Sequence, residues 1–297
     1  MHDPIPACFS VDRERARDDQ YSLRAGQTLA TNVYRTKIAG KCRLIVATWC
    51  KSLLAHGFTI SLEDQEAKAQ STYKIELAPW CFWRKQGLKT FTVEGTRVDL
   101  FWDLRNAKFY TEPEPKCDYY VALASEGEVV LVLGDMKKEA YRKARSRPSL
   151  IDPILISRKE HIYAKRKFIT RAKFSERAAA HEISIECTCG SNSAGLDPEM
   201  TIRIDGNLVT RVRHLQWKFR GNETIFVNKI AIEVFWDVHD WLFSPGLRHS
   251  LFIFRPSTSN PSSTLMNVGH GGSMNGSEVS MGGSPDFCLY LHAWKTE

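Results

Sequence analysis

No uninterrupted apolar run in this chain approaches the roughly 20 residues that a membrane-spanning helix needs. The first residues, MHDPIPACFSVDRERARDD, hold no apolar segment of the secretory kind. A cytoplasmic or nuclear address is therefore expected, with no signal peptide and no transmembrane segment. In such a compartment the eight cysteines are expected to stay reduced. No Cys-x-x-Cys pair occurs. Cys187 and Cys189 are one residue apart, and no nearby histidine or cysteine completes a tetrahedral zinc set. They read as ordinary thiols near a strand end.

Catalytic signatures are missing too. There is no GxSxG elbow and no HExxH, since His181-Glu182 lacks its second histidine. The Gly-rich stretch GHGGSMNGSEVSMGG (269–283) has neither the lysine nor the strand–loop–helix setting of a phosphate cradle. Carboxylates do not cluster as a calcium site requires. Asp237 and Asp240 lie close, but the position equivalent to Asp240 is Asn106. No catalytic residue, cofactor or metal ligand is assigned.

What the chain does have is strand after strand. Candidates are VYRTKI (33–38), CRLIVATW (42–49), FTISLE (58–63), TYKIEL (72–77), KTFTVEG (89–95), RVDLFWDL (97–104), DYYVALA (118–124) and EVVLVLG (128–134). They are short, alternating or β-branched, and separated by turn residues. After MKKEAYRKARSRP (136–148), which has helix-forming composition and stops at Pro148, a second run follows. It comprises HIYAKRKFITRAKF (161–174), HEISIEC (181–187), MTIRIDG (200–206), LVTRVRHLQWKF (208–219), ETIFVN (223–228), IAIEVFWDV (230–238), SLFIF (250–254) and DFCLYLHAW (286–294).

The two runs resemble each other at a fixed offset of 134 positions. Over 83–103 and 217–237 seven of 21 ungapped positions are identical: Trp83/Trp217, Gly87/Gly221, Thr90/Thr224, Val93/Val227, Phe101/Phe235, Trp102/Trp236 and Asp103/Asp237. A gapless offset points to duplication of one structural unit. Within each copy, Val98, Leu100 and Trp102, or Ile232, Val234 and Trp236, fall on one strand face, which should be the core. Trp83 and Trp217 are expected to mark the same core. Gly87 and Gly221 are read as turn residues before the hairpin strands. Asp103 and Asp237 are expected to accept backbone N–H groups where the strand ends.

The expected fold is all-β: tandem duplicated antiparallel β-sandwich units, C2-like or jelly-roll-like, with a short basic helix between them. The expected divisions are a flexible leader over 1–27, a first sandwich over 28–135 and a basic helical connector over 136–165. A second sandwich follows over 166–297, with a Ser/Gly-rich insertion at 256–285.

The strings LAPWCFWRKQGLKTFTVEG (77–95), VDLFWDLRNAKF (98–109), PEPKCDYYVALASEGEVVLVLGD (113–135), RSRPSL (145–150), LQWKFRGNETIFVNK (215–229), VFWDVHDWLF (234–243) and LFIFRP (251–256) together resemble the plant domain-of-unknown-function family 868. The likeness spans about residues 28–256 and the last strand. It implies a plant source and no activity.

Charge supplies the remaining signal. Lys and Arg total 41 against 34 Asp and Glu, a formal charge of +7, which permits attraction to phosphate-rich surfaces without demanding it. The excess is locally dense: Lys137, Lys138, Arg142, Lys143, Arg145 and Arg147 put six cations into 11 residues. In a helix, Lys138, Arg142 and Arg145 share a face. This segment reads as a solvated connector, as a contact for anionic phospholipid, or as a nuclear import signal. Tyr141 is its single aromatic, so it lacks the stacking platforms of a nucleic-acid reader, which argues against sequence-specific nucleic acid as partner.

The expected role is a non-enzymatic binding or scaffold module, recognising a protein partner or an anionic membrane surface. The alternative is a carbohydrate-binding or hydrolytic protein using Trp80, Trp83, Trp217, Trp241 and Trp294 in a cleft between the sandwiches. A third reading has the serines Ser257, Ser259, Ser262, Ser263, Ser273 and Ser277 as phosphorylation sites of a regulatory scaffold.

Overall fold

The computed structural model describes residues 27–53, 55–63, 70–77, 85–164, 166–174, 179–188, 197–246, 248–257 and 287–295. The leader, the Ser/Gly-rich insertion beyond Ser257, Trp80, Trp83 and Cys189 lie outside these residues. The fold is all-β, and among the described residues no helix is long and apolar enough to cross a membrane.

The chain first runs through an antiparallel meander of β1 (Thr28–Ile38), β2 (Lys41–Lys51), β3 (His56–Glu63) and β4 (Gln70–Leu77). A second meander follows: β5 (Gln86–Val93), β6 (Thr96–Asp103), β7 (Tyr120–Ser125) and β8 (Glu128–Gly134). Helix α1 (Lys137–Ala144) leads to the two-residue β9 (Arg147–Pro148), which pairs in parallel with β8. After β10 (Ile154–Ala164) the plan of two meanders recurs. The third consists of β11 (Lys167–Ala172), β12 (His181–Thr188), β13 (Glu199–Ile204) and β14 (Asn207–Val212). The fourth consists of β15 (Arg220–Val227), β16 (Ile230–Asp237), β17 (His249–Pro256) and β18 (Cys288–Lys295), with the short helix α2 (His239–Phe243) between β16 and β17.

These strands make three sheets. Residues 154–164, placed in the connector by their sequence, form β10 instead. β10 pairs with β1 on one side and in parallel with β18 on the other. It thereby fuses the first and fourth meanders into one nine-stranded sheet, β15-β16-β17-β18-β10-β1-β2-β3-β4. The stretch 161–174, which reads as one strand, breaks between β10 and β11.

Both smaller sheets cover the same face of the long sheet. Ala30 of β1 pairs with Glu160, and strand alternation puts Glu160, Ile162 and Ala164 on one side. Ala30 belongs to a core shared with Ile45, Trp49, Phe58, Val98, Leu100 and Trp102. Ala164 belongs to a second core with Ile183, Ile202, Ile232, Val234, Trp236 and Phe252. Two apolar cores therefore lie side by side against one face of the long sheet.

The repeated motif has the same local geometry in both units. Gly87 pairs with Trp102 across β5–β6, and Gly221 with Trp236 across β15–β16. Trp102 and Trp236 are buried to 6% and 7% exposure. The glycines lie inside strands, not in turns, so the turn reading of their role is corrected: the indole lies over the glycine, where no Cβ fits. The tight turns themselves are Glu94-Gly95 and Asn228-Lys229, two-residue loops with positive φ at both positions, a conformation that matches the right-handed strand twist.

Helix α1 ends sooner than its composition suggests. Arg145 takes a left-handed conformation (φ 50°) as its C-cap, and Arg147 and Ser149 then donate backbone hydrogen bonds to Gly127 and Val129. The ladder of β8 captures the chain before Pro148 is reached.

Candidate functional site

Helix α1 lies on the outer face of the five-stranded sheet. Ala140, fully buried, packs with Phe101, Tyr120, Ala122, Ala124 and Val129, and Met136, Tyr141 and Ala144 close the contact. This layer explains why Phe101 is buried although it points away from the Trp102 core. One side of a short helix is thus fixed to a sheet, and its polar side must face water. Lys137, Lys138, Arg142, Lys143, Arg145 and Arg147 are all exposed. Arg147 pairs with Glu128 at 2.7 Å. The other five form no ion pair with a described residue. The acids of the segment are Asp135, Glu139 and Asp152, and Asp135 already accepts the Tyr119 N–H.

Beside this ridge the chain displays an apolar pair that sequence reasoning passed over. Leu150 is 88% and Ile151 44% exposed. The Ser149 hydroxyl accepts the Ile151 N–H at 3.3 Å, making a small turn that holds Leu150 outward. Lys137, Tyr141, Pro148, Ile151 and Asp152 line one crevice of about 80 Å³, so Ile151 borders one of the cations. A Leu-Ile pair between Ser149 and Asp152-Pro153 was the available signal.

The strand-end carboxylates do not join this surface as ligands. Asp103 accepts the backbone N–H of Arg105 at 3.2 Å and two guanidinium bonds from the same residue. Partial burial opposes the charged form, but the Arg105 hydrogen bonds hold the Asp103 carboxyl below its usual range. Asp237 accepts the N–H of His239 at 3.3 Å and pairs with Arg220 at 2.7 Å. Asp240 is taken by His239 and Ser244. Among the described residues no three His, Cys, Asp or Glu converge in a metal-binding arrangement.

The tryptophans divide. Trp241 is buried to 1% exposure. Trp217 is 81% exposed, so the expectation that it marks the repeat core is corrected. β14 ends at Val212, and the following turn sends Leu215 inward and Trp217 outward. Trp236 keeps contact with this turn by donating its indole N–H to the Lys218 carbonyl at 3.1 Å. Trp294 stands at the edge of a ring cluster with His161, His249 and Tyr163.

Where a cleft between the two units would lie there is a polar lock. Arg158 donates to Glu160 at 2.6 Å, to Glu114 at 2.9 Å and to Asn32 at 3.1 Å, and Thr170 donates to Glu160 at 2.6 Å. These groups come from β1, β10, β11 and the loop after β6, so they tie both units to the long sheet. Burial alone would lower the Arg158 pKa, but Glu160 and Glu114 hold the guanidinium firmly charged. Burial, and then Glu114, pushes the phenols of Tyr34 and Tyr119 far above their ordinary range.

A model of plant proteins of unknown function, DUF868, matches residues 25–295. The chain belongs to the DUF868 family. The match covers the strands from β1 to β18, α1 and the polar lock of this DUF868 protein. No curated protein and no solved structure matches it.

Proposed function

We propose that this DUF868 protein is a non-enzymatic binding module that grips a phosphate-rich surface through α1. The observation that carries the reading is the state of the α1 cations. Lys137, Lys138, Arg142 and Lys143 on the helix and Arg145 at its C-cap are exposed and without an ion pair among the described residues, and the opposite side of the helix is packed onto a sheet. A helix held this way presents its charges with little further loss of backbone freedom on binding. Each cation near an anionic lipid surface contributes about 1 kcal/mol, reduced by salt. The recurring pairs of meanders and the matched Gly–Trp contacts support reading the rest of the chain as a duplicated, rigid scaffold behind that helix.

The test is co-sedimentation of the full chain with vesicles of phosphatidylcholine alone and of phosphatidylcholine mixed with phosphatidylserine, at low and high salt. Binding to the anionic vesicles at low salt, weakened at high salt, is expected. The triple variant Lys138→Glu, Arg142→Glu, Arg145→Glu should abolish it. A variant that sediments like the unmodified chain overturns the assignment to α1.

A further inference from the structure

Building on the cationic reading of α1, we infer that its target is a lipid bilayer, and that Leu150 enters the bilayer while the helix cations hold the headgroups. A soluble polyanion has no use for an aliphatic side chain held in water. Yet Leu150 is 88% exposed, and it is held there by structure. Two backbone hydrogen bonds, Arg147 N–H to Gly127 and Ser149 N–H to Val129, fasten the preceding residues to β8. The Ser149 hydroxyl then fixes the turn. Ile151, 44% exposed, forms the base of the projection against Lys137 and Tyr141.

Charge complementarity selects the occupant. An acyl-chain region meets Leu150 only beneath a headgroup layer, and Lys137, which lines one crevice with the neighbouring Ile151, is a cation that such a layer attracts. Membrane anchoring commonly needs two signals, one apolar insertion and one polybasic patch, because each alone is marginal. Here both occur within residues 137–151. A nucleic acid would instead call for aromatic rings free to stack, and Tyr141 is turned into the contact between α1 and the sheet.

The experiment compares the full chain with Leu150→Ser and Leu150→Phe on two probes: phosphatidylcholine–phosphatidylserine vesicles and immobilised heparin. Leu150 is exposed, so these variants should fold; matching circular dichroism and melting curves check this. Leu150→Ser is expected to weaken vesicle binding about tenfold, the scale of losing one buried aliphatic side chain. Leu150→Phe should bind vesicles at least as well as the unmodified chain. Heparin retention should be the same for all three. Vesicle affinity unchanged in Leu150→Ser overturns insertion while leaving the cationic reading of α1 intact. A chain that is retained on heparin but ignores anionic vesicles overturns the bilayer as target. A chain that binds neither probe, as one built to hold a protein partner would, overturns both readings.

Discussion

The indole of Trp102 lies directly over Gly87 on the neighbouring strand. A methyl group at Gly87 would put three atoms of the ring within 3.0 Å, and one at Gly221 would do the same against Trp236. Neither ring can swing away, because each is enclosed in its own core. Gly87→Ala and Gly221→Ala are therefore each expected to destabilise the fold by about 1–3 kcal/mol, the usual cost of overpacking. Chemical denaturation of the two variants checks this. Loss at one site only would show that the two Trp layers are not equivalent.

This Gly–Trp relationship also shows how far the sequence could be read. The identity of Gly87, Trp102 and Asp103 with Gly221, Trp236 and Asp237 was visible as a fixed offset, and period-two alternation put Leu100 and Val234 in the interior. Alternation fixes a face, however, and not what covers it. Phe101 and Phe235 are identical in sequence context, yet the first lies beneath α1 while the second lies under the Arg255 guanidinium, 5.5 Å from its centroid. Fusion through β10 was hidden for a related reason. ILISRKEHIYA carries Arg158, Lys159, Glu160 and His161 in a central strand, where polar residues normally argue for exposure. They are tolerated because Arg158 and Glu160 satisfy each other at the join. Leu150 was missed because a lone exposed aliphatic residue looks the same in sequence as a buried one.

Arg158 gives the second prediction. Replacing it by methionine leaves Glu160 and Glu114 buried or half-buried without their cation. Removing one partner of such a pair costs about 3–5 kcal/mol. Arg158→Met should lower the urea midpoint accordingly. Adding Glu160→Gln should recover part of the loss, since the Thr170 hydroxyl can still bond an amide oxygen. If the double variant is no more stable than the single one, the charge on Glu160 is not what the Arg158 guanidinium compensates.

Two tryptophans separate the core from the surface. Trp241 packs edge-on to Phe168 in the second core, with ring centroids 6.4 Å apart. Trp241→Ala should cost about 3–5 kcal/mol through the cavity it leaves. Trp217→Ala, at a site 81% exposed, should change stability by about 0.5 kcal/mol or less. Thermal melts of both variants decide the matter. A large loss for Trp217→Ala would mean that the ring is part of the fold.

The final prediction concerns acid. His161, His249 and His292 meet on the face of the long sheet that points away from the two cores, with His161 and His292 stacked at 4.9 Å and His249 5.2 Å from His292. Trp294 donates its indole N–H to His161 Nδ1 at 3.2 Å, which requires that nitrogen to be unprotonated. Burial first, and then Lys159 and His249, brings the His161 pKa down to about 4. Burial, with His161, Lys159 and His249, sets His292 well below its ordinary value. In the unfolded chain both would titrate near about 6.5. Between these values the unfolded state binds more protons than the folded one, so stability rises with pH across the window. The contribution is complete above pH about 6.5 and is lost as pH falls toward 4. Urea midpoints measured at intervals from neutral to mildly acidic pH should therefore decline through this range. The decline should be shallower in His161→Gln, which keeps a side-chain acceptor for Trp294 and cannot take up a proton. An equally steep decline in that variant would assign the acid sensitivity to other groups and leave the stacked histidines without a part in it.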